Sequence, residues 1–91
     1  MDSIISKEKR CYLCGSENWI ESHHIFGAAD RKKSEKYGLK VYLCHYCHNE
    51  PPNGVHHNAG NNRLLKQIGQ RAFMLKYPNL DFMAIFGRNY L

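Results

Sequence analysis

The feature that most limits what this chain can fold into is a pair of two-cysteine turns, Cys11-Tyr12-Leu13-Cys14 and Cys44-His45-Tyr46-Cys47, separated by residues 15–43. Each turn brings two sulfurs close together, and two such turns supply the four soft ligands that a closed tetrahedral Zn2+ site takes. Disulfides are the rival use of four cysteines, and they suit an exported chain. Residues 1–11, MDSIISKEKRC, have neither the basic start nor the apolar run of an export signal. The spacing therefore predicts a structural Zn2+ on Cys11, Cys14, Cys44 and Cys47 in a reducing, cytoplasmic compartment. His45, inside the second turn, is the weaker candidate.

A metal staple answers a need set by size. With 91 residues the chain makes a single domain, 1–91, and a domain of that size buries only about 60–65% of the surface its unfolded form exposes. The composition is still globular, since 43% of residues are hydrophobic and there are six Tyr, four Phe and one Trp. No stretch has the length of a membrane span, so no membrane partner is expected.

Residues 19–26, rich in aromatic and β-branched side chains, read as a strand. In 39–43, Leu39, Val41 and Leu43 alternate with Lys40 and Tyr42, the period of a second strand with one buried face. The excursion at 27–38 carries a helical turn across about 29–36. Such a hairpin brings the two cysteine turns to neighbouring ends. A short helix after Cys47-His48 is stopped by Pro51-Pro52. Beyond the turn at Asn53-Gly54, a longer helix capped by Asn61 or Asn62 runs to about Tyr77, with Leu64, Leu65, Ile68, Ala72 and Leu75 on its core stripe. A last short helix is capped by Asn79, contributes Phe82, Met83, Ile85 and Phe86 to the core, and ends at Gly87. The whole is a small α+β fold, with a zinc-bearing core over about 11–50 and a helical extension over about 61–87.

Thirteen Lys and Arg against eight Asp and Glu leave a formal net charge of +5. Arg31, Lys32, Lys33, Lys36 and Lys40 crowd into one short run, which suits a phosphate-bearing partner such as DNA, although a solvated loop has the same composition. His23 and His24 are adjacent on a strand and so point to opposite faces unless the backbone twists. One can hold a metal while the other approaches a water. His48 follows the second cysteine turn and can face His23 across the hairpin. The plainer alternative is that these are surface or supporting histidines.

Taken together, CYLC, then ESHHI, then VYLCHYCH, covering residues 11–48, resemble the HNH nuclease family with its ββα-metal, treble-clef-like core. PPNGVHHN, GQRAF and FGRNYL resemble small phage-type members. The resemblance implies a DNA endonuclease in the cytoplasm of a bacterial host or encoded by a phage, and a 91-residue chain with one site would most simply act as a nickase. It places His23 and His48 as ligands of a catalytic divalent ion and His24 as the general base. It matches the four cysteines to the structural zinc ligands of zinc-containing members. Mg2+ is the implied cellular ion, with Mn2+, Ni2+ or Zn2+ as substitutes. The family's middle Asn has no counterpart in YGLKVYLC, so another group must orient His24. Pro51-Pro52 cut short the helix after Cys47-His48 and can bring His56 or His57 to the site, with His56 expected as an added ligand or phosphate contact. Cutting both strands would require a second copy, which leaves a homodimer or a phage protein partner open. The alternative is a non-catalytic, zinc-stabilised nucleic-acid-binding module.

Overall fold

Two antiparallel strands, β1 (Ile20–His24) and β2 (Lys40–Cys44), carry the site. The computed structural model describes residues 2–91. Its register sets Glu21 opposite Leu43, His23 opposite Val41 and His24 opposite Lys40. Because side chains alternate along a strand, Glu21, His23, Val41 and Leu43 share one face, and Ser22, His24, Lys40 and Tyr42 the other. Val41 and Leu43 are buried beside Leu39 and Ile25, so the first face is the core face. His23 is a buried polar group on it, only 6% exposed.

Between the strands lie a 3-10 turn (Ala28–Asp30) and α1 (Arg31–Tyr37), the latter closed by Gly38 in the left-handed region at φ 72°. Buried Ser34 pins this helix to the end of β1: its Oγ accepts from Phe26 N (3.0 Å) and donates to Phe26 O (2.7 Å). That anchor fixes where Glu35, one residue on, presents its carboxylate.

The second cysteine turn is itself helical. α2 (His45–Asn49) begins where β2 ends, so Cys44 closes the strand while Cys47 and His48 ride on the helix. It stops just ahead of Pro51-Pro52, as expected. α3 (Ala59–Lys76) starts earlier than expected, because its cap is Asn58 rather than Asn61 or Asn62; Asn58 Oδ1 accepts from Asn61 N at 2.9 Å. α4 (Phe82–Phe86) is capped by Asp81 rather than Asn79, with Oδ1 accepting from Met83 N and Ala84 N, and Gly87 ends it at φ 75° as expected.

The expected core stripe of α3 is corrected at Leu64 and Leu75, while Leu65 lies in the core and Ile68 packs against it. Leu65 is fully buried, but Leu64 is exposed and Leu75 is 85% exposed; the buried row is Leu65, Gly69, Gln70 and Phe73. Phe73 has the larger apolar area and touches Phe82 and Phe86 at ring distances of 5.4 and 5.9 Å, so it outcompetes Leu75 for the interior. Gln70 is satisfied there: its Oε1 accepts from Tyr90 N (2.8 Å) and its Nε2 donates to Asn89 Oδ1 (2.9 Å), docking the C-terminal tail against α3. Met83, expected in the core, is 54% exposed. One hydrophobic cluster runs from Cys11 and Cys44 to Phe82 and Phe86, so cysteine turns and helices share a core. Among the described residues no helix is long and apolar enough to cross a membrane.

Candidate metal centre

Cys11, Cys14, Cys44 and Cys47 converge, with their sulfurs all within 4.8 Å of one another and Cys14 Sγ 3.6 Å from Cys44 Sγ. Four sulfurs at about 2.3 Å from Zn2+ stand roughly 3.8 Å apart, so the set can hold a structural ion such as zinc. Local chain geometry explains the convergence. Gly15, at φ 79°, lets its N–H turn back to Cys11 O (2.9 Å), and Tyr12 N donates to Tyr42 O (2.8 Å), tying the first turn to β2.

The thiols differ in how readily they ionise. Burial opposes ionisation of Cys11, but the backbone N–H groups of Cys44, Cys14 and Leu13 outweigh it and bring the thiol down to about 6. Cys47 is pushed well up, by burial first and then by the neighbouring sulfurs. Four thiolates cannot share so small a volume without a cation, and a dication relieves that repulsion. His45 stands outside this set. It bonds Glu21 (3.1 Å) and Glu50 (2.9 Å) and stacks on Trp19 with ring centroids 4.1 Å apart.

A second cluster joins three elements. His23 from β1, His48 from α2 and His56 from the loop ahead of α3 each place a ring nitrogen within 4.8 Å of the other two. His48 Nδ1–H donates to Glu21 Oε1 at 2.8 Å, which leaves Nε2 as its lone-pair nitrogen, 3.0 Å from His56 Nε2. Two ring nitrogens so placed need either a proton between them or a shared cation. His23 is held neutral, brought down to about 4 by burial first and then by the charges of His48, His56, His24 and Lys66. Burial also lowers His56. Neutral imidazoles are the ligand form. The donor set suits Zn2+, Mn2+ or Ni2+ better than Mg2+, which favours oxygen ligands.

His24 lies outside the triad. Its Nε2 meets Glu35 Oε2 at 2.8 Å, and Lys40, its cross-strand neighbour, meets Glu35 Oε1 at 3.0 Å. Of the basic run, Lys33 pairs with Asp30 (3.3 Å) and donates to Ile85 O (2.6 Å), so Lys33 and Lys40 are committed within the fold. Arg31, Lys32 and Lys36 are exposed on α1. His57, although next to His56, is not part of the triad.

Two supporting carboxylates escape a reading of motifs alone. Glu21 sits two residues before His23, on the same strand face, and that period of two is the signal that could have found it. Glu35 sits inside the basic run, where it reads as an interruption of positive charge. No family model, curated protein or solved structure matches this chain.

Proposed function

We propose that this protein is a metal-dependent DNA endonuclease of the HNH kind, built on a zinc-clamped ββα-metal core. The observation that carries the reading is the triad. His23, His48 and His56 come from three separate elements and aim ring nitrogens at one small volume, with the tautomer of His48 set by Glu21. Such convergence on a part-exposed surface, beside a separate four-sulfur clamp, is an arrangement for chemistry rather than for packing.

In this reading Glu35 takes the place of the missing Asn. By accepting the Nε2 proton of His24 it leaves Nδ1 free to take a proton from water. The water oxygen bonds to phosphorus as the bond from phosphorus to the 3′ oxygen breaks. The departing oxygen takes a proton from solvent, giving a 5′-phosphate and a 3′-hydroxyl. Glu35 then stabilises the imidazolium left on His24. His23, His48 and His56 would hold the divalent ion, which would supply positive charge against the charge that develops on the phosphate. Arg31, Lys32 and Lys36, exposed on the helix that carries Glu35, add contacts to the DNA backbone.

The decisive experiment is nicking of supercoiled plasmid across Mg2+, Mn2+, Ni2+ and Zn2+, with wild type beside His24→Ala. The variant should lose roughly 10²–10⁴-fold in rate and keep its circular dichroism spectrum. Near-wild-type nicking by the variant would remove His24 from the mechanism.

A second reading is a zinc-stabilised nucleic-acid-binding module without turnover. It is favoured by one observation: strand alternation puts His24 on the sheet face opposite His23. DNA binding with no cleavage under any divalent ion would decide for it.

A further inference from the structure

A basic concave surface lies away from the run of residues 31–40. A groove of about 480 Å³ opens between the start of α3 and the C-terminal tail, lined by His56, Arg63, Lys66, Arg88 and Tyr90 among others. No carboxylate lines it. Among the described residues, Arg63, Lys66 and Arg88 make no ion pair with an acidic group, unlike Lys33 and Lys40 of the basic run.

The three cations are gathered by one residue. Arg63 Nη2 donates to Tyr90 O at 3.2 Å, and Lys66 Nζ and Arg88 lie over the Tyr90 ring, each 5.4 Å from its centroid. Tyr90 itself is fixed by its N–H to buried Gln70. Holding three like charges around one ring, with no carboxylate in the lining, costs free energy that a polyanion in the groove relieves. The groove also has a direction, since His56 belongs both to its lining and to the imidazole triad.

We infer that this groove is the seat of the nucleic-acid backbone, where Arg63, Lys66 and Arg88 hold the phosphates that flank the one presented to His23, His48 and His56. They are positioning residues, and the inference rests on the proposed phosphodiester substrate. Contacts of this kind set register without reading bases, so they act on all sequences alike.

The test measures binding of a short fluorescein-labelled mixed-sequence duplex to the zinc-loaded full chain, by anisotropy, at NaCl between about 50 and 200 mM. Each phosphate contact contributes about 0.9 to the slope of log K against log salt, so Arg63→Gln/Lys66→Gln/Arg88→Gln should reduce that slope by roughly 2–3 and weaken binding at least tenfold at the lower salt. Lys7→Gln/Lys9→Gln/Lys76→Gln removes the same formal charge at exposed lysines outside the groove and outside α1, and should do much less. Equal losses in the two variants would reduce the effect to net charge and overturn the groove. Arg63→Lys/Arg88→Lys should keep most of the slope, because a phosphate contact needs a cation; loss of binding there, with zinc content and circular dichroism intact, would also overturn it. Plasmid nicking separates the two proposals. Nicking by a wild type whose DNA affinity does not depend on the groove sinks the groove alone. Groove-dependent binding without nicking sinks the nuclease alone, and no DNA binding sinks both.

Discussion

Glu21 Oε1 accepts the Nδ1 proton of His48 at 2.8 Å, and Glu21 Oε2 receives His45 at 3.1 Å, so one strand carboxylate orders two imidazoles of α2. The bond to His48 selects the tautomer whose Nε2 faces His56 and His23. A carboxylate behind a ligating histidine typically contributes 10–100-fold in metal affinity. Glu21→Gln should therefore weaken binding of Ni2+ or Mn2+ at the triad by about 10–100-fold, measured by isothermal titration with the four-sulfur site already filled. The zinc content should not change. Unaltered affinity would mean that Glu21 only braces α2.

Cys44 lies where β2, α2 and the core meet, and it is 3% exposed. Binding of structural Zn2+ is worth on the order of 10–16 kcal/mol in small zinc domains, against a net stability of about 5–15 kcal/mol for a typical domain. Cys44→Ser should leave the chain unfolded at room temperature, and a strong chelator should do the same to wild type. Native mass spectrometry paired with circular dichroism reads both. A folded, zinc-free variant would assign the cysteines to packing.

Glu35 is drawn down to about 2, first by the His24 bond and then by Lys40, so it is a carboxylate throughout the neutral range. If it orients His24, Glu35→Gln should slow nicking by about 10-fold or more, yet less than His24→Ala, whose loss of general-base catalysis is put at roughly 10²–10⁴-fold. DNA affinity measures the separate contribution of the α1 cations. A Glu35→Gln protein as fast as wild type would leave His24 oriented by something else.

The parts legible in the sequence are those where a local pattern is also the three-dimensional one. Two close cysteine pairs had to meet if the segment between them returned as a hairpin, and the alternation at Leu39, Val41 and Leu43 showed that it did. Gly87 ends its helix for a reason that is local to the backbone. The α3 stripe was legible at Leu65 and Ile68 but not in its last turns, because Leu75 and Phe73 both fit a helical period and only the aromatic cluster around Phe82 and Phe86 chooses between them. Nor was the groove, whose cations come from α3 and the tail and are brought together by Tyr90. Charge density along the chain pointed instead to residues 31–40, where Glu35 and Asp30 already occupy part of it.

Gly69 shows packing overruling propensity. Alanine is better than glycine inside a helix by about 1 kcal/mol. A Cβ at this position, however, would stand 3.1 Å from Ile25 Cγ2 and 3.1 Å from Phe26 Cε2. Both neighbours are 2% exposed and enclosed by the core, so they have little room to withdraw. Overpacking of this kind costs about 1–3 kcal/mol, which leaves Gly69→Ala net destabilising by about 1 kcal/mol. Urea unfolding with zinc bound would show a lower midpoint at unchanged slope. A higher midpoint would mean that α3 and the segment just after β1 can move apart.

His56 and His57 are chemically identical neighbours with separate work to do. His56 N–H donates to His48 O at 3.3 Å, which brings this stretch of the loop alongside α2 and its Nε2 to 3.0 Å from that of His48. His57 N–H instead closes a turn onto Gly54 O at 2.8 Å, and His57 lines the groove with Arg63 and Lys66. His56→Ala should therefore cost the triad one of three ligands and reduce ion affinity by at least about 10-fold, whereas His57→Ala should leave ion affinity within about 2-fold, the larger loss being that of a direct ligand rather than of a supporting group. The pair of titrations carries its own control, because both variants remove an exposed imidazole from the same loop. Equal losses would show that the loop as a whole, and not the His56 nitrogen, shapes the ion site.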